Sequence, residues 1–302
     1  MAHRFKGKRL SPLTDSKGQF AGVINCHAER LNVPLKRKKP TVYAIWNDLF
    51  HESVPLDFID DVLDVISACP QHTFLALTKR AHLIEEKLYD VTPEHGIRTL
   101  GGGDYLRNLW VGVTVCTPDE LWKIIVLIQT PAAHRWVNFE PMLGPMDLSR
   151  WMKPTSKCGW CGTRFEHVIL SGECPKCGNA HNIYTLLGTD TKERDKKAPS
   201  WNMSFGWKID AVILGGETGP KARPLHPGWV ISVRDQCKAA GVPFFFKGWG
   251  SPRPGRKIND QKIWVIETLR VAGYDPKNST GGRLLDGREH NELPWRLTCP
   301  SQ

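Results

Sequence analysis

No stretch of this sequence is long and apolar enough to cross a bilayer, although hydrophobic residues make up 40% of it. The N-terminus, Met1 to Leu10, is basic but lacks the apolar run of a signal peptide. These two absences point to a cytoplasmic protein with no membrane partner. No Gly-rich nucleotide fingerprint follows the first strand pattern, which counts against a dinucleotide fold. Acidic residues are also in short supply, 31 against 41 lysines and arginines, for a net charge of +10. Such a balance favours an anionic partner, nucleic acid first.

Cysteine is plentiful. Nine occur in 302 residues, and in an intracellular chain that number suggests metal rather than disulfides. The length suits one large α/β domain plus a small module.

A basic arm, residues 1–40, carries clusters at His3 to Arg9 and Lys36 to Lys39. From residue 41 strand and helix patterns alternate. Thr41 to Trp46, Thr73 to Leu77, Leu109 to Val115, Arg135 to Phe139, Ala211 to Leu214 and Pro243 to Phe246 read as strands. Leu56 to Ala68, Ala81 to Leu88 and Pro227 to Ala240 read as helices, the last closed by Gly241. Thr117-Pro118-Asp119-Glu120 reads as a helix start with an N-cap and a capping-box glutamate. The acidic run Asp57, Asp60, Asp61 and Asp64 follows helical spacing and reads as a solvated face. This alternation predicts a parallel sheet with right-handed crossovers. A barrel, a partial barrel and an open doubly wound sheet all satisfy it.

The alternation breaks over residues 153–204. The barrel or sheet would thus occupy 41–152 and 205–250, with a Gly/Pro-rich tail of loop and short hairpin over 251–302. The break contains Cys158-Gly-Trp-Cys161 and Cys174-Pro-Lys-Cys177, each followed by glycine. Two residues between cysteines let both thiolates converge on one ion, and the glycines permit the tight turn around sulfur. A hairpin through Phe165 to Leu170 would bring the pairs together. Four thiolates suit structural zinc, although a rubredoxin-type iron site uses similar spacing. Cys26, Cys69, Cys116, Cys237 and Cys299 are scattered; Cys69 and Cys237 lie on helix patterns and read as buried.

In a parallel α/β domain the active site gathers at the C-terminal strand ends. Those ends are polar here: Asp48 and His51, Lys79 and Arg80, Cys116, Glu140, Gly215-Gly216-Glu217, and Lys247. Each has a structural reading as a cap or ion pair. Their convergence on one rim makes Asp48, His51, Lys79, Arg80, Glu140 and Lys247 the candidate catalytic residues. Gly215 and Gly216 would allow close backbone approach, with the Glu217 carboxylate beside open space for an ammonium or hydroxyl group.

Strings spanning nearly the whole chain outside the break resemble a known family. They include His27-Ala-Glu29-Arg30-Leu31, Leu77-Thr78-Lys79-Arg80, Glu140-Pro141-Met-Leu-Gly144-Pro145, Gly215-Gly216-Glu217-Thr-Gly219-Pro220, Ala222-Arg223-Pro224 and Val242-Pro243-Phe-Phe-Phe246-Lys247. The family is the phage-borne, radical-SAM-like group of unassigned function known as the phage gp-thirty-seven/gp-sixty-eight proteins. The resemblance implies a TIM-type partial barrel of parallel strands, here with an inserted zinc ribbon, working in the host cytoplasm if phage-encoded. It implies S-adenosylmethionine held by Gly215, Gly216 and Glu217, and a four-iron, four-sulfur cluster on an N-terminal cysteine motif.

The chain departs from the family at that motif. No cysteine triad precedes His27, and Cys26 stands alone. The family's cluster loop is expected to lie upstream of Met1 or to come from a small partner protein, leaving the chain without radical chemistry by itself. Ile45-Trp46-Asn47 and Gly248 also differ from the family's usual residues. The main rival is a silent barrel that grips nucleic acid or a host factor. Another is a hydrolase or lyase using Asp48 and His51.

Overall fold

The computed structural model describes residues 22–45, 48–89, 106–130, 132–152, 155–158, 160–166, 176–177, 183–186, 208–219, 222–251, 272–275, 277–278 and 281–295. Its centre is a six-stranded, all-parallel sheet. The strands are β1 (Val42–Ala44), β2 (Thr73–Thr78), β3 (Leu109–Thr114), β4 (His134–Phe139), β8 (Ala211–Gly215) and β9 (Phe244–Gly248). Between β4 and β8 lie β5 (Thr155–Cys158), β6 (Arg164–Glu166) and β7 (Ile183–Leu186), which form a separate antiparallel sheet.

The strand order is β1-β2-β3-β4-β8-β9, so the parallel strands lie side by side in chain order. That order separates the architectures that periodicity left open. A doubly wound sheet reverses direction at a switch point and places helices on both faces. Strands added always on the same side, by right-handed crossovers, place every helix on one face.

Burial shows this arrangement. The helices are α2 (Leu56–Ser67), α3 (Ala81–Tyr89), α4 (Trp122–Gln129) and α6 (Pro227–Ala240). Ile59, Leu63, Ile84, Leu127 and Val233 share one core with Phe74, Val111, Val137, Leu214 and Phe246. The alternate strand residues Leu75, Trp110, Trp136 and Ala211 form a second, smaller cluster with Trp295. Helices thus cover one face only, and the sheet curls into a half-barrel.

The lower part of the concave face is filled by indoles. Trp295 meets Trp110 and Trp136 edge-on at 5.0 and 5.8 Å, and Trp110 stacks on His134 at 4.2 Å. Gly112 makes room for this packing, because a Cβ there would lie 2.4 Å from the Trp136 ring. The strand register then aligns Thr114, Asn138 and Ile213 one layer higher. Bulky apolar residues therefore fill the bottom, and the upper layers are left for polar groups.

Residues 281–295 do more than the expected loose tail. They form the expected hairpin, β10 (Leu284–Leu285) with β11 (Arg288–Glu289), and they cover the β9 edge. Phe246 N–H donates to the His290 carbonyl at 3.0 Å, and Glu292 N–H donates to Phe244 at 3.3 Å. At the other edge β1 has no further strand partner among the described residues, and Val42 is 39% exposed.

Residues 28–40 of the basic arm are folded onto the sheet by His72. This imidazole is 1% exposed. It accepts from the Thr41 N–H at 3.2 Å and contacts the Pro34 carbonyl at 3.1 Å through the other nitrogen. The carbonyl belongs to α1 (Asn32–Lys36).

The insertion leaves and rejoins the barrel at one place. Short α5 (Ser149–Met152) precedes it, and Ile209 N–H donates to the Trp151 carbonyl at 2.9 Å. A module whose ends meet in this way can be added without disturbing the strand order. In it β5 pairs with both β6 and β7, giving the order β6-β5-β7. Residues 167–170 of the expected hairpin lie outside the described residues.

One local expectation needs correction. Thr117 makes no side-chain cap, and Pro118–Glu120 is a 3-10 turn ahead of α4. Glu120 reaches back to the Cys116 N–H instead, at 2.6 Å, and is paired with Lys123 at 2.6 Å. The glutamate half of the capping box is present, moved one residue upstream.

Candidate functional site

The upper, C-terminal edge of the half-barrel gathers the polar strand ends. Glu140 follows β4, and Lys247 lies in β9, two strands away. Lys247 Nζ donates to both Glu140 carboxylate oxygens, at 2.7 and 2.8 Å. The pair spans the strand between them because Gly215 has no side chain. A Cβ there would lie 3.3 Å from Lys247 Cβ and 3.7 Å from Glu140 Cδ.

Gly216 is required for a different reason. A Cβ at this position would lie 2.0 Å from the Trp249 carbonyl oxygen. Backbone sits against backbone here: Gly216 N–H donates to Gly248 O at 2.9 Å, and Ser251 N–H to Glu217 O at 2.8 Å. Trp249 is fully buried, and its indole N–H donates to the Leu284 carbonyl at 2.8 Å. The tail hairpin therefore braces the rim from behind.

The Glu217 carboxylate does not face open space. Arg223 Nε donates to it at 2.8 Å, the Arg223 backbone N–H at 2.9 Å and a second guanidinium nitrogen at 3.2 Å. These bonds outweigh burial and hold the Glu217 carboxyl below the ordinary 4.5. Because the folded value is the lower one, the pair's stabilisation is complete above 4.5 and is lost as pH falls through the folded value. A carbon-13 titration of the Glu217 carboxyl is expected to give a midpoint below 4.5, returning toward 4.5 in Arg223→Met. A wild-type midpoint at or above 4.5 would contradict the pairing.

Asp48, Glu52 and Arg80 form a third charged group. Arg80 Nε donates to both oxygens of Glu52, at 2.9 and 2.8 Å, and Nη1 to Asp48 at 2.9 Å. The other Asp48 oxygen accepts from the Phe50 N–H at 3.2 Å. His51 Nδ1 accepts from the Ser53 N–H at 3.1 Å. The Asp48 carboxylate thus turns to Arg80 and its own loop, and among the described residues it makes no hydrogen bond to the His51 ring, whose Nδ1 lies 3.4 Å from Glu52 instead. Lys87 pins this loop from below by donating to the Val54 carbonyl at 2.8 Å.

Two rim residues remain. Lys79 is exposed and makes no ion pair among the described residues. Cys116, at the end of β3, is half-buried; burial first and Glu120 second push its thiol up, while Lys79 and Arg223 oppose them. Arg223 and Glu52 were not singled out from the sequence as site residues. A charged residue in a loop carries no periodic signal: Arg223 meets Glu217 six residues back in its own loop, and Glu52 meets Arg80 only once two strand ends are adjacent.

In the insertion, the sulfur atoms of Cys158, Cys161 and Cys177 all lie within 4.8 Å of one another. Cys158 and Cys177 are 3.7 Å apart. Tetrahedral zinc with thiolate ligands at the usual distance requires about 3.8 Å between sulfurs. The first knuckle turns as its glycine predicted: Gly162 has φ +72° and donates to Cys158 O at 2.9 Å, while Cys158 N–H donates to Thr163 O at 2.9 Å. Cys174 lies outside the described residues.

Fold and site together define an α/β half-barrel protein with an ion-paired concave rim and a three-thiol cluster capable of holding a metal. No helix among the described residues is long and apolar enough to cross a membrane. The chain belongs to the DUF5131 family, described as a protein of unknown function, whose model matches residues 1–294. Comparison with curated proteins gives no match, and neither does comparison with solved structures.

Proposed function

We propose that this chain is a radical-SAM-like half-barrel that binds S-adenosylmethionine at its C-terminal rim, acts in association with nucleic acid, and holds a structural zinc ion in its ribbon. The observation that carries the reading is that the Glu140–Lys247 pair bridges over side-chain-free Gly215, while the Glu217–Arg223 pair begins two residues further along the same strand end. S-adenosylmethionine ends in an ammonium and a carboxylate. Glu140 and Glu217 suit the first, Lys247 and Arg223 the second, and Gly215 supplies the cradle. Lys79 and Arg80 would line the substrate side.

An iron–sulfur cluster does not fit this rim. Cys116 is its one cysteine among the described residues, and the grouped thiols lie in the insertion. No chemical step is assigned through a cluster. The zinc assignment, with Cys174 as fourth ligand beside Cys158, Cys161 and Cys177, rests on the sulfur spacing and on the paired Cys-x-x-Cys pattern.

A second reading, a silent barrel that binds nucleic acid or a host factor, is favoured by one fact. Asp48, Glu140 and Glu217 are already paired with cations of this chain.

Both readings involve nucleic acid, with the exposed run Lys36, Arg37, Lys38 and Lys39 as an electrostatic contact. Binding is expected to be weak, tolerant of sequence and steeply salt-dependent, because each neutralised phosphate releases counterions. Changing the four residues to glutamine should flatten the log–log salt slope by roughly two to three. Binding that does not change across a salt titration would contradict an electrostatic interface.

A further inference from the structure

Below the rim, the concave face buries polar side chains that the chain itself does not satisfy. Trp136 is 5% exposed, and its indole N–H is buried without a hydrogen-bond partner. Thr114 and Asn138 are 3% and 6% exposed. Neither the hydroxyl nor the carboxamide is hydrogen-bonded among the described residues. Buried polar groups left unmade are costly and call for an explanation.

These groups sit together. Thr114 and Asn138 are register partners on β3 and β4. Trp136 precedes Asn138 on the same face of β4, and its ring nitrogen lies over Gly112, which precedes Thr114 on the same face of β3. Apolar side chains flank the patch. Leu77 is level with Gly112 on β2, Ile213 is level with Asn138 on β8, and both are half-buried. The Glu140–Lys247 pair stands one layer above. A ligand passing the rim would meet apolar walls first and the polar patch at the bottom.

The donor and acceptor set narrows what that ligand is. All three groups are uncharged. The carboxamide offers a donor and an acceptor side by side, the hydroxyl can do either, and the indole N–H only donates. A trans peptide group points its N–H and C=O in opposite directions, so it cannot pair with both halves of one carboxamide. A nucleobase edge sets a donor next to an acceptor, as adenine does for asparagine. Its flat apolar faces suit the space between Leu77 and Ile213. Lys79, exposed at the end of β2, is placed for the phosphate that follows the base.

We infer that Asn138, Thr114 and Trp136 form a nucleobase-reading patch inside the half-barrel, so that the substrate group held beneath the rim is a base taken out of its stack. The inference rests on the rim and nucleic-acid readings above and names the part of the nucleic acid that enters.

The test is saturation-transfer NMR of the full chain with AMP, GMP, CMP, UMP and ribose 5-phosphate, each with and without saturating S-adenosylmethionine. At least one mononucleotide is expected to bind roughly tenfold or more tighter than ribose 5-phosphate, with the strongest saturation at its base protons. Asn138→Leu should raise that Kd roughly tenfold and Thr114→Val about threefold, while the Kd of ribose 5-phosphate stays put in both. A variant that simply failed to fold would lose ribose 5-phosphate as well, and the conservative valine keeps the test open if leucine does so. No mononucleotide tighter than ribose 5-phosphate overturns the inference, and so does an unchanged mononucleotide Kd in both variants. Displacement of the mononucleotide by S-adenosylmethionine also overturns it, because the patch would then hold the adenine of that molecule. S-adenosylmethionine binding in the same samples judges the rim reading separately: without it the rim reading falls, and a base preference lost in the variants still supports the patch.

Discussion

Replacing Cys177 or Cys174 with serine is expected to release about one zinc ion per chain and to unfold the insertion while the half-barrel stays folded. The expectation starts from size. The insertion's three strands have four, three and four residues. Sheets that short do not bury enough apolar surface to offset their own ordering entropy. A bound metal would supply the difference. In small zinc modules binding contributes about 10–16 kcal/mol, and binding and folding are one event.

A serine hydroxyl is a poor zinc ligand, so losing one thiolate removes much of that stabilisation. The barrel should be spared. Its core is a separate cluster, and the Ile209–Trp151 hydrogen bond closes the chain at the base of the insertion. Elemental analysis should find about one zinc per wild-type chain and close to none in either variant. Hydrogen exchange should rise to unfolded-like rates over Thr155–Cys158 and Ile183–Leu186 but not over Leu109–Thr114. Iron in place of zinc, or metal content that survives the substitutions, would contradict the assignment.

The second large effect is expected at the rim. Glu217→Gln should weaken S-adenosylmethionine binding by at least about tenfold. Glutamine keeps the shape and loses the charge. The Arg223 guanidinium then remains beside an incoming ammonium with nothing to offset it. A hydrogen bond to a charged group contributes roughly 1.5–3 kcal/mol, which converts to about tenfold or more in Kd. Glu140→Gln should act in the same direction and by a similar amount, because Lys247 and Arg223 are equally exposed, at 57% and 55% of their side chains. The substitutions should change stability little, because partly exposed ion pairs contribute about 0–1 kcal/mol.

Much of this architecture is legible in the sequence, for local reasons. Helix Pro227–Ala240 has the boundaries that Pro227 and Gly241 indicate, with Gly241 in the left-handed region at φ +66°. Each parallel strand appears within a few residues of its pattern, since apolar runs bounded by turn residues are short-range signals. Cys69 and Cys237 are buried, at 1% and 0% exposure, Cys237 on the face of α6 as expected and Cys69 in the turn just past the end of α2.

What the sequence could not supply is relational. Strand order decides between half-barrel and doubly wound sheet, and periodicity is the same in both. The Asp48–Arg80–Glu52 group depends on two loops meeting above the sheet, and the Glu217–Arg223 pair on how one irregular loop folds back. Thr117 carries the residue type of an N-cap, yet Glu120 bonds one residue earlier, because Pro118 starts a 3-10 turn. Trp295 reads as tail, and only the concave face of the sheet shows that it fills the barrel floor with Trp110 and Trp136.

The most direct test of the account is equilibrium binding of S-adenosylmethionine and of 5′-methylthioadenosine to the same chain, measured by isothermal titration. The two molecules share the adenosine portion and differ in the sulfonium charge and in the amino-acid end that the rim pairs are proposed to hold, and the Glu217→Gln variant separates the second difference from the first. The account predicts saturable binding of S-adenosylmethionine at one site. It also predicts at least about tenfold weaker binding of methylthioadenosine, and loss of that difference in Glu217→Gln. No saturable binding of S-adenosylmethionine, or equal affinity for the two molecules with Glu217→Gln without effect, would contradict it.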